Sequence, residues 1–140
     1  MAFRFDMNPT VSPAGKRVHW IPGWYIGELT GVDGRESQSG EPMVVWEYKI
    51  LASATGQAVE QGRIWFNTMC RPDIQWNLRG AWEAIGLPWP KEGEAFTINS
   101  REELLSHISP RFGTRLLIKL ADEEYQGEMT SRVKVVRSAE

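Results

Sequence analysis

The sequence predicts a mainly β domain that carries one helical region, and three observations indicate this fold class. Apolar and polar residues alternate along several stretches of roughly ten residues, a period typical of strands with one buried face. Clusters of glycine, proline and serine separate these stretches, as they do between the strands of small β proteins. Residues 71–88 follow a helical period instead.

The first three predicted strands occupy the N-terminal half of the chain. They span Val18 to Val32, about Met43 to Ala52 and roughly Ala58 to Met69. The inward-facing set of the second strand is Val44, Trp46, Tyr48 and Ile50, so Trp46 and Tyr48 are expected in the core. Gly27 and Gly31 interrupt the first strand, and glycines inside strands often mark bulges or barrel corners.

A helical insertion separates the third strand from the fourth. Its first helix is expected to start at residues 71–73, where proline and aspartate suit a first turn, and to stop at Gly86-Leu87-Pro88. The apolar stripe of this helix is Ile74, Leu78, Trp82 and Ile85. Ser100 and Glu103 form a capping-box pattern, which predicts a second, short helix that ends before Pro110.

A fourth strand is expected from Gly113, and a fifth from Met129 to Arg137. Three strands, a helical insertion and two further strands match the five-stranded Greek-key barrel of the OB-fold. An unrelated mixed α+β sheet is the alternative. Residues 1–17 are interpreted as a loose N-terminal arm and residues 18–140 as a single domain. In this barrel, Trp76 and Trp82 of the insertion are expected to plug or cover an opening.

The composition and the net charge limit the classes of protein to which this chain can belong. The 140 residues, 41% hydrophobic and 24% charged, are typical of one globular domain. Sixteen basic and 18 acidic side chains give a formal charge of −2, so any positive surface must be local. The single cysteine, Cys70, excludes an internal disulfide and favours a reducing compartment. Because no apolar run resembles a leader or spans a bilayer, we expect a cytoplasmic protein without membrane contact.

Patterns typical of enzymes are mostly missing from the sequence. His19 and His107 lie far apart, and one cysteine leaves no ligand pair with zinc spacing. The sequence contains neither a phosphate-binding glycine loop nor a nucleophile elbow. The run Asp122-Glu123-Glu124 allows the alternative of a small magnesium-dependent nuclease, although such runs are more often solvated turns. We therefore expect a non-enzymatic protein with no catalytic residues, metal or cofactor.

Cations and aromatic residues share the predicted outer faces of the strands. Trp65 is expected to face outward, because Ile64 and Phe66 have the opposite parity. Single-stranded nucleic acid is bound by a positive track for phosphates and by flat side chains on which bases stack. The predicted binding residues are Lys49, Arg63, Trp65, Arg115, Lys119, Tyr125, Arg132 and Lys134. Trp24 and Tyr25 lie on opposite faces, and the sequence does not decide which of them faces outward; Tyr25 is the alternative to Tyr125 for stacking.

Four motifs, taken in order and spacing, resemble a family of tailed-bacteriophage proteins. They are the stretch from Pro22 to Leu51 with its Ser-Gly-Glu-Pro-Met turn, Gly62 to Asn67, Leu78 to Pro88, and Glu124 to Glu128 followed by Arg132-Val133. The resemblance covers the chain from about Phe3 to Val136. This family was long catalogued only as a domain of unknown function, and its members are regarded as single-stranded DNA-binding proteins of OB-fold type.

The resemblance implies a phage protein that binds single-stranded DNA with low sequence specificity and supports replication or recombination. Its expected location is the cytoplasm of the infected bacterial host, with phage replication or recombination proteins as partners. An open barrel edge is also compatible with a homodimer. The alternative is a protein–protein adaptor or virion accessory protein built on an OB-like barrel, which the net charge of −2 favours.

Overall fold

The computed structural model describes residues 18–36, 38–71, 73–91 and 97–139, and the predicted N-terminal arm lies outside these ranges. The described residues form five strands, two α-helices and a 3₁₀ turn at Ser109–Arg111. The strands are β1 (Gly23–Glu36), β2 (Pro42–Ser53), β3 (Ala58–Met69), β4 (Arg115–Tyr125) and β5 (Glu128–Ser138). The helices, α1 (Trp76–Ala84) and α2 (Arg101–Ile108), lie between β3 and β4. The prediction of a mainly β chain with a helical insertion at this point is confirmed.

All five strands belong to one antiparallel sheet in the order β3-β2-β1-β4-β5. The two edge strands, β3 and β5, are not hydrogen-bonded to each other, yet some of their Cα atoms approach within 8 Å. The sheet is therefore strongly curled, and its two edges face each other across a seam. We call this gap between β3 and β5 the seam.

β1 is shared by the two halves of the sheet. Its first part, Gly23 to Glu28, pairs with β4, while residues from Tyr25 to Glu36 pair with β2. The pairing with β2 shifts register between Ile26 and Gly27 and again between Leu29 and Gly31. The irregularities predicted from Gly27 and Gly31 are thus confirmed. Such shifts bend a strand and increase its twist, so β1 can follow both halves.

The close approach of neighbouring strands explains why residue 27 is glycine. A Cβ added to Gly27 would lie 2.6 Å from Ile118 Cδ1 and 2.9 Å from the carbonyl oxygen of Lys49. The Ile118 methyl group can move, but the Lys49 carbonyl belongs to the backbone of β2. A side chain here would therefore push β1 away from β2.

The inward faces of the strands form the core. Leu29, Trp46, Tyr48, Ile50 and Ile118 are fully buried, so the assignment of Trp46 and Tyr48 to the core is confirmed. The Trp46 indole N–H donates to Thr68 Oγ1 at 3.0 Å, and the Thr68 hydroxyl donates to the Val44 carbonyl at 2.9 Å. Trp46 thus satisfies its one polar group inside the core, as buried tryptophans usually do.

The two helices begin and end largely where the sequence signals place them. α2 starts after Ser100, whose hydroxyl accepts from the Glu103 backbone N–H at 3.0 Å. α1 ends before Gly86, which has the positive φ of 85° that favours glycine. Its start differs from the prediction, because the Ile74 backbone N–H donates to the Arg71 carbonyl and forms a turn before the helix begins at Trp76.

The start of the first strand also differs from the prediction at Val18, because residues 18–21 cross the seam instead of extending β1. We call residues 18–21 the strap. The Trp20 indole N–H donates to the Glu60 carbonyl of β3 at 2.7 Å, and the Trp20 backbone N–H donates to Ser131 Oγ of β5 at 2.8 Å. Val18 and Trp20 also pack over Gly62. The strap therefore joins the two sheet edges at one end of the seam.

None of the helices in the described ranges is long and apolar enough to cross a membrane.

Gly27→Ala is expected to destabilise the protein by about 1–3 kcal/mol, the usual cost of overpacking a core. Gly80→Ala is the matched control, because nothing lies within 4 Å of a Cβ added to that glycine inside α1. Helix propensity predicts that the control stabilises the protein by up to about 1 kcal/mol. Urea unfolding of both variants measures the two changes, and equal stabilities would show that β1 does not need the close approach.

Tyr48→Phe is expected to leave stability at pH 7 unchanged or to raise it by about 1–3 kcal/mol. The Tyr48 hydroxyl is buried without a hydrogen-bond partner in the described structure, and an unsatisfied buried hydroxyl costs about this much. A loss of stability in this variant would show that the hydroxyl is hydrogen-bonded, for example to a buried water.

The same variant should flatten the loss of stability in alkali. Burial raises the pKa of Tyr48, so the folded state stays protonated while the unfolded state ionises near pH 10. The contribution of the Tyr48 hydroxyl to the free energy of unfolding is therefore constant below about pH 10. Above that pH the free energy of unfolding falls by up to about 1.4 kcal/mol per pH unit. Urea titrations between pH 8 and 11 should show a shallower fall for Tyr48→Phe than for the parent chain.

Candidate nucleic-acid interface

A cleft of about 490 Å³ opens where the seam meets the start of α1. The strap closes the other end of the seam, at Glu60 and Ser131. We call this space the seam cleft. Its lining comes from the middle of β3, the first turn of α1, and facing parts of β4 and β5: Trp65, Phe66, Asn67, Trp76, Asn77, Glu123, Arg132, Val133 and Lys134.

Trp65 faces outward, as its parity predicts. Along β3, Ile64, Phe66 and Thr68 are buried, whereas Trp65 remains 55% exposed. A tryptophan with so much of its surface in water is unusual, because this side chain is generally well buried. Its ring is therefore available to a ligand.

Trp76 also lines the seam cleft and is 69% exposed, so the prediction that it plugs or covers the barrel is wrong. α1 buries Leu78 and Trp82 against the sheet. At 100° per residue, Trp76 lies on the opposite side of the helix from that stripe. A helical wheel drawn from the stripe would have identified this outward position, whereas Trp82 is buried as expected.

Two cations of β5 point at the same cleft. Arg132 and Lys134 are exposed, and neither forms an ion pair with the described residues. The pairing of β4 with β5 shifts register between Lys119 and Leu120, so Lys134 is the extra residue of a bulge. Bulges re-aim side chains, and this one leaves both cations beside the cleft. Glu123 is the carboxylate among the lining residues.

A second aromatic group lies on the outer face of β1, β4 and β5. Tyr25 is buried, with its hydroxyl donating to the Ile21 carbonyl, and Trp24 faces outward and is half-buried. The Lys119 ammonium lies 5.9 Å and the Arg137 guanidinium 5.0 Å from the centre of the Trp24 ring. These are cation–π distances. We call Trp24, Lys119 and Arg137 the Trp24 platform, and Arg137 was not among the predicted binding residues.

Two predicted binding residues lie elsewhere, on the outer face of β2 and β3. Lys49 and Arg63 are cross-strand neighbours. The Arg63 guanidinium is 3.5 Å from the Glu47 carboxylate, which also accepts a 2.8 Å hydrogen bond from Thr30 Oγ1. This face also carries Glu28, the register partner of Lys49. Its positive charge is therefore partly neutralised.

The remaining predicted residues are at the ends of β4. Arg115 is exposed at the first position of the strand, opposite Glu28 of β1. Tyr125 is the last residue of β4, and its backbone pairs with Glu128. The side chain of Tyr125 is outside the described structure, so its part in binding stays a prediction.

The cations of the last two strands share one property. Among the described residues, none of them forms an ion pair: Arg115, Lys119, Arg132, Lys134 and Arg137. Elsewhere in the described chain, by contrast, most arginines are paired with carboxylates: Arg35, Arg63, Arg71, Arg79 and Arg101. Most of the arginines without an ion pair among the described residues therefore lie on β4 and β5.

A larger groove, of about 1170 Å³, lies between the paired ends of β1 and β2 and the two helices. Three arginines and Lys91 line it, and the arginines are ion-paired: Arg35 and Arg101 with Asp33, and Arg79 with Glu83. It therefore offers less free positive charge to a polyanion than the seam cleft does.

The acidic run of β4 does not converge on one point. Asp122 Oδ1 lies 2.7 Å from Nε2 of His19 in the strap, while Glu123 lines the seam cleft. Within the described ranges, no group of three or more His, Cys, Asp and Glu side chains is arranged to hold a metal ion.

No family model and no curated protein matches this chain.

Proposed function

We propose that the chain is a non-enzymatic protein that binds single-stranded DNA with low sequence specificity. The observation that carries the proposal is the seam cleft, where two exposed tryptophans lie beside two cations that form no ion pair with the described residues. Bases stack on aromatic side chains for about 1–3 kcal/mol each, and cations neutralise the phosphates between them. Trp65, Trp76, Arg132 and Lys134 supply both kinds of contact at one place.

The chemistry of the cleft favours an unpaired strand of mixed sequence. In a duplex the faces of the bases are covered by their neighbours, so Trp65 and Trp76 have nothing to stack on. In a single strand the faces are open, and stacking on an indole tolerates every base. Asn67 and Asn77, which also line the cleft, carry amides that both donate and accept hydrogen bonds and so suit any base edge.

We assign the domain to the OB-fold type as part of the same proposal. The support is the strand order, with β1 shared by both halves, the edges of β3 and β5 facing each other, and the helices placed between β3 and β4. These features support a five-stranded Greek-key barrel. With the resemblance to phage proteins, it favours a role in phage replication or recombination, in the cytoplasm of the infected host.

A protein–protein adaptor is the second candidate function. Leu105 and Phe112, which are 45% and 39% exposed, lie near the end of α2, and exposed large apolar side chains suit protein partners. Tryptophans are also common at the centres of protein interfaces. The unpaired cations beside Trp65 and Trp76 favour a polyanion over this alternative.

Trp65→Ala and Trp76→Ala are each expected to weaken the binding of oligo-dT about 5- to 150-fold, the equivalent of about 1–3 kcal/mol per stacked base. Leu105→Ala is the matched control, since it removes an exposed apolar side chain of α2 that does not line the cleft. Fluorescence anisotropy with labelled oligo-dT at low salt measures the affinities. A duplex of the same length should bind more weakly than the single strand.

Three outcomes would refute the proposal. Equal affinities of the two tryptophan variants and Leu105→Ala would remove the seam cleft from the interface. Binding that does not weaken as salt rises would exclude phosphate contacts. Magnesium-dependent loss of the labelled strand that disappears in Glu123→Ala would identify a nuclease instead.

A further inference from the structure

The unpaired cations continue from the seam cleft across β5 and β4 to Trp24. Arg132 and Lys134 border the cleft, and Lys119 and Arg137 lie over the Trp24 ring. Lys119 pairs in register with Trp24 of β1 and with Val135 of β5. Along β5, Val135 lies one residue from Lys134 and three residues from Arg132, while Arg137 lies three and five residues from these two cations.

A strand that left the seam cleft in the other direction would cross β3 and β2, whose outer face carries carboxylates beside its cations. There Arg63 is 3.5 Å from Glu47, and Glu28 lies opposite Lys49. A phosphate on that face would compete with Glu47 for Arg63 and would be repelled by both carboxylates. On β4 and β5, the outward cations between the two aromatic groups have no such partners among the described residues.

We infer that a bound single strand crosses β5 and β4 from the seam cleft to the Trp24 platform, where Lys119 and Arg137 contact its phosphates. This inference rests on the proposed function. It names a second contact site, with the phosphodiester backbone as its ligand. The Trp24 ring holds the two cations over β4 before DNA arrives, which reduces the side-chain entropy lost on binding.

The distances suit a short stretch of single strand. Neighbouring strands lie about 4.8 Å apart, so β1 and β5 are separated by roughly 10 Å across β4. β5 and β3 approach within 8 Å, and the offset along β5 adds up to roughly 10 Å at about 3.3 Å per residue. The route is thus on the order of 20 Å. OB-folds commonly occupy about 4–16 nucleotides.

Salt dependence separates the two routes. Each phosphate contact to a single strand contributes about 0.7 to the slope of log K against log salt concentration. The double variant Lys119→Gln with Arg137→Gln is expected to make this slope shallower by about 1.4 and to weaken binding at low salt by about tenfold or more. The matched control, Lys49→Gln with Arg63→Gln, removes the same charge from β2 and β3 and should leave the slope unchanged.

The measurement uses the full chain and labelled oligo-dT of about 15 nucleotides, longer than the route, with circular dichroism to compare the fold of both variants. A slope that falls only in the first variant supports the inference. A slope that falls equally in both variants, or only in the control, overturns the route while the proposed function stands. Absence of salt-dependent binding in the parent chain overturns the proposed function, and the route with it.

Discussion

The whole arrangement depends on β1 pairing with β2 and β4 at the same time. At Gly27, the backbone of β1 lies so close to the Lys49 carbonyl and to Ile118 that no Cβ fits without displacement. The two register shifts around this position let β1 bend, so that its first part supports β4 and β5 and the rest supports β2 and β3. Because of this bend, the free edges of β3 and β5 are brought face to face. Without it the sheet would have two distant edges and no seam.

The candidate binding surface follows from how that seam is closed. At one end, the strap joins β3 to β5 through Trp20, which bonds to Glu60 and Ser131. At the other end, α1 packs against β3 and β5 and leaves Trp76 outside. Between these two closures the edges remain unpaired, and the space is lined by side chains rather than by ladder hydrogen bonds. The same incomplete closure therefore supplies both the cleft and the exposed ring of Trp65.

Local patterns predicted the parts of this structure that local physics determines. Alternation placed Trp46 and Tyr48 inside and Trp65 outside, and glycines located the irregularities of β1. Alternation gives only relative parity, however, and it could not tell which of Trp24 and Tyr25 is buried. The register between strands brings Arg137 to Trp24 and Glu47 to Arg63. The alternation within a single strand does not predict this register, because it contains no information about which residues of two strands lie opposite each other. Trp76 is exposed although it belongs to α1, because its position on the helical wheel is opposite the buried stripe.

Photochemical cross-linking can locate the path of a bound single strand on the protein surface. Oligo-dT carrying photoreactive thymines would be bound at low salt, irradiated and digested, and the cross-linked peptides identified by mass spectrometry. If the strand binds in the seam cleft and crosses β5, we expect cross-links in peptides that contain Trp65, Trp76 and the outward residues of β5 from Arg132 to Arg137. Cross-links confined to the outer face of β2, or to α2 around Leu105, would contradict it. Absence of any cross-link under conditions where a known single-stranded DNA-binding protein is labelled would contradict the binding function itself.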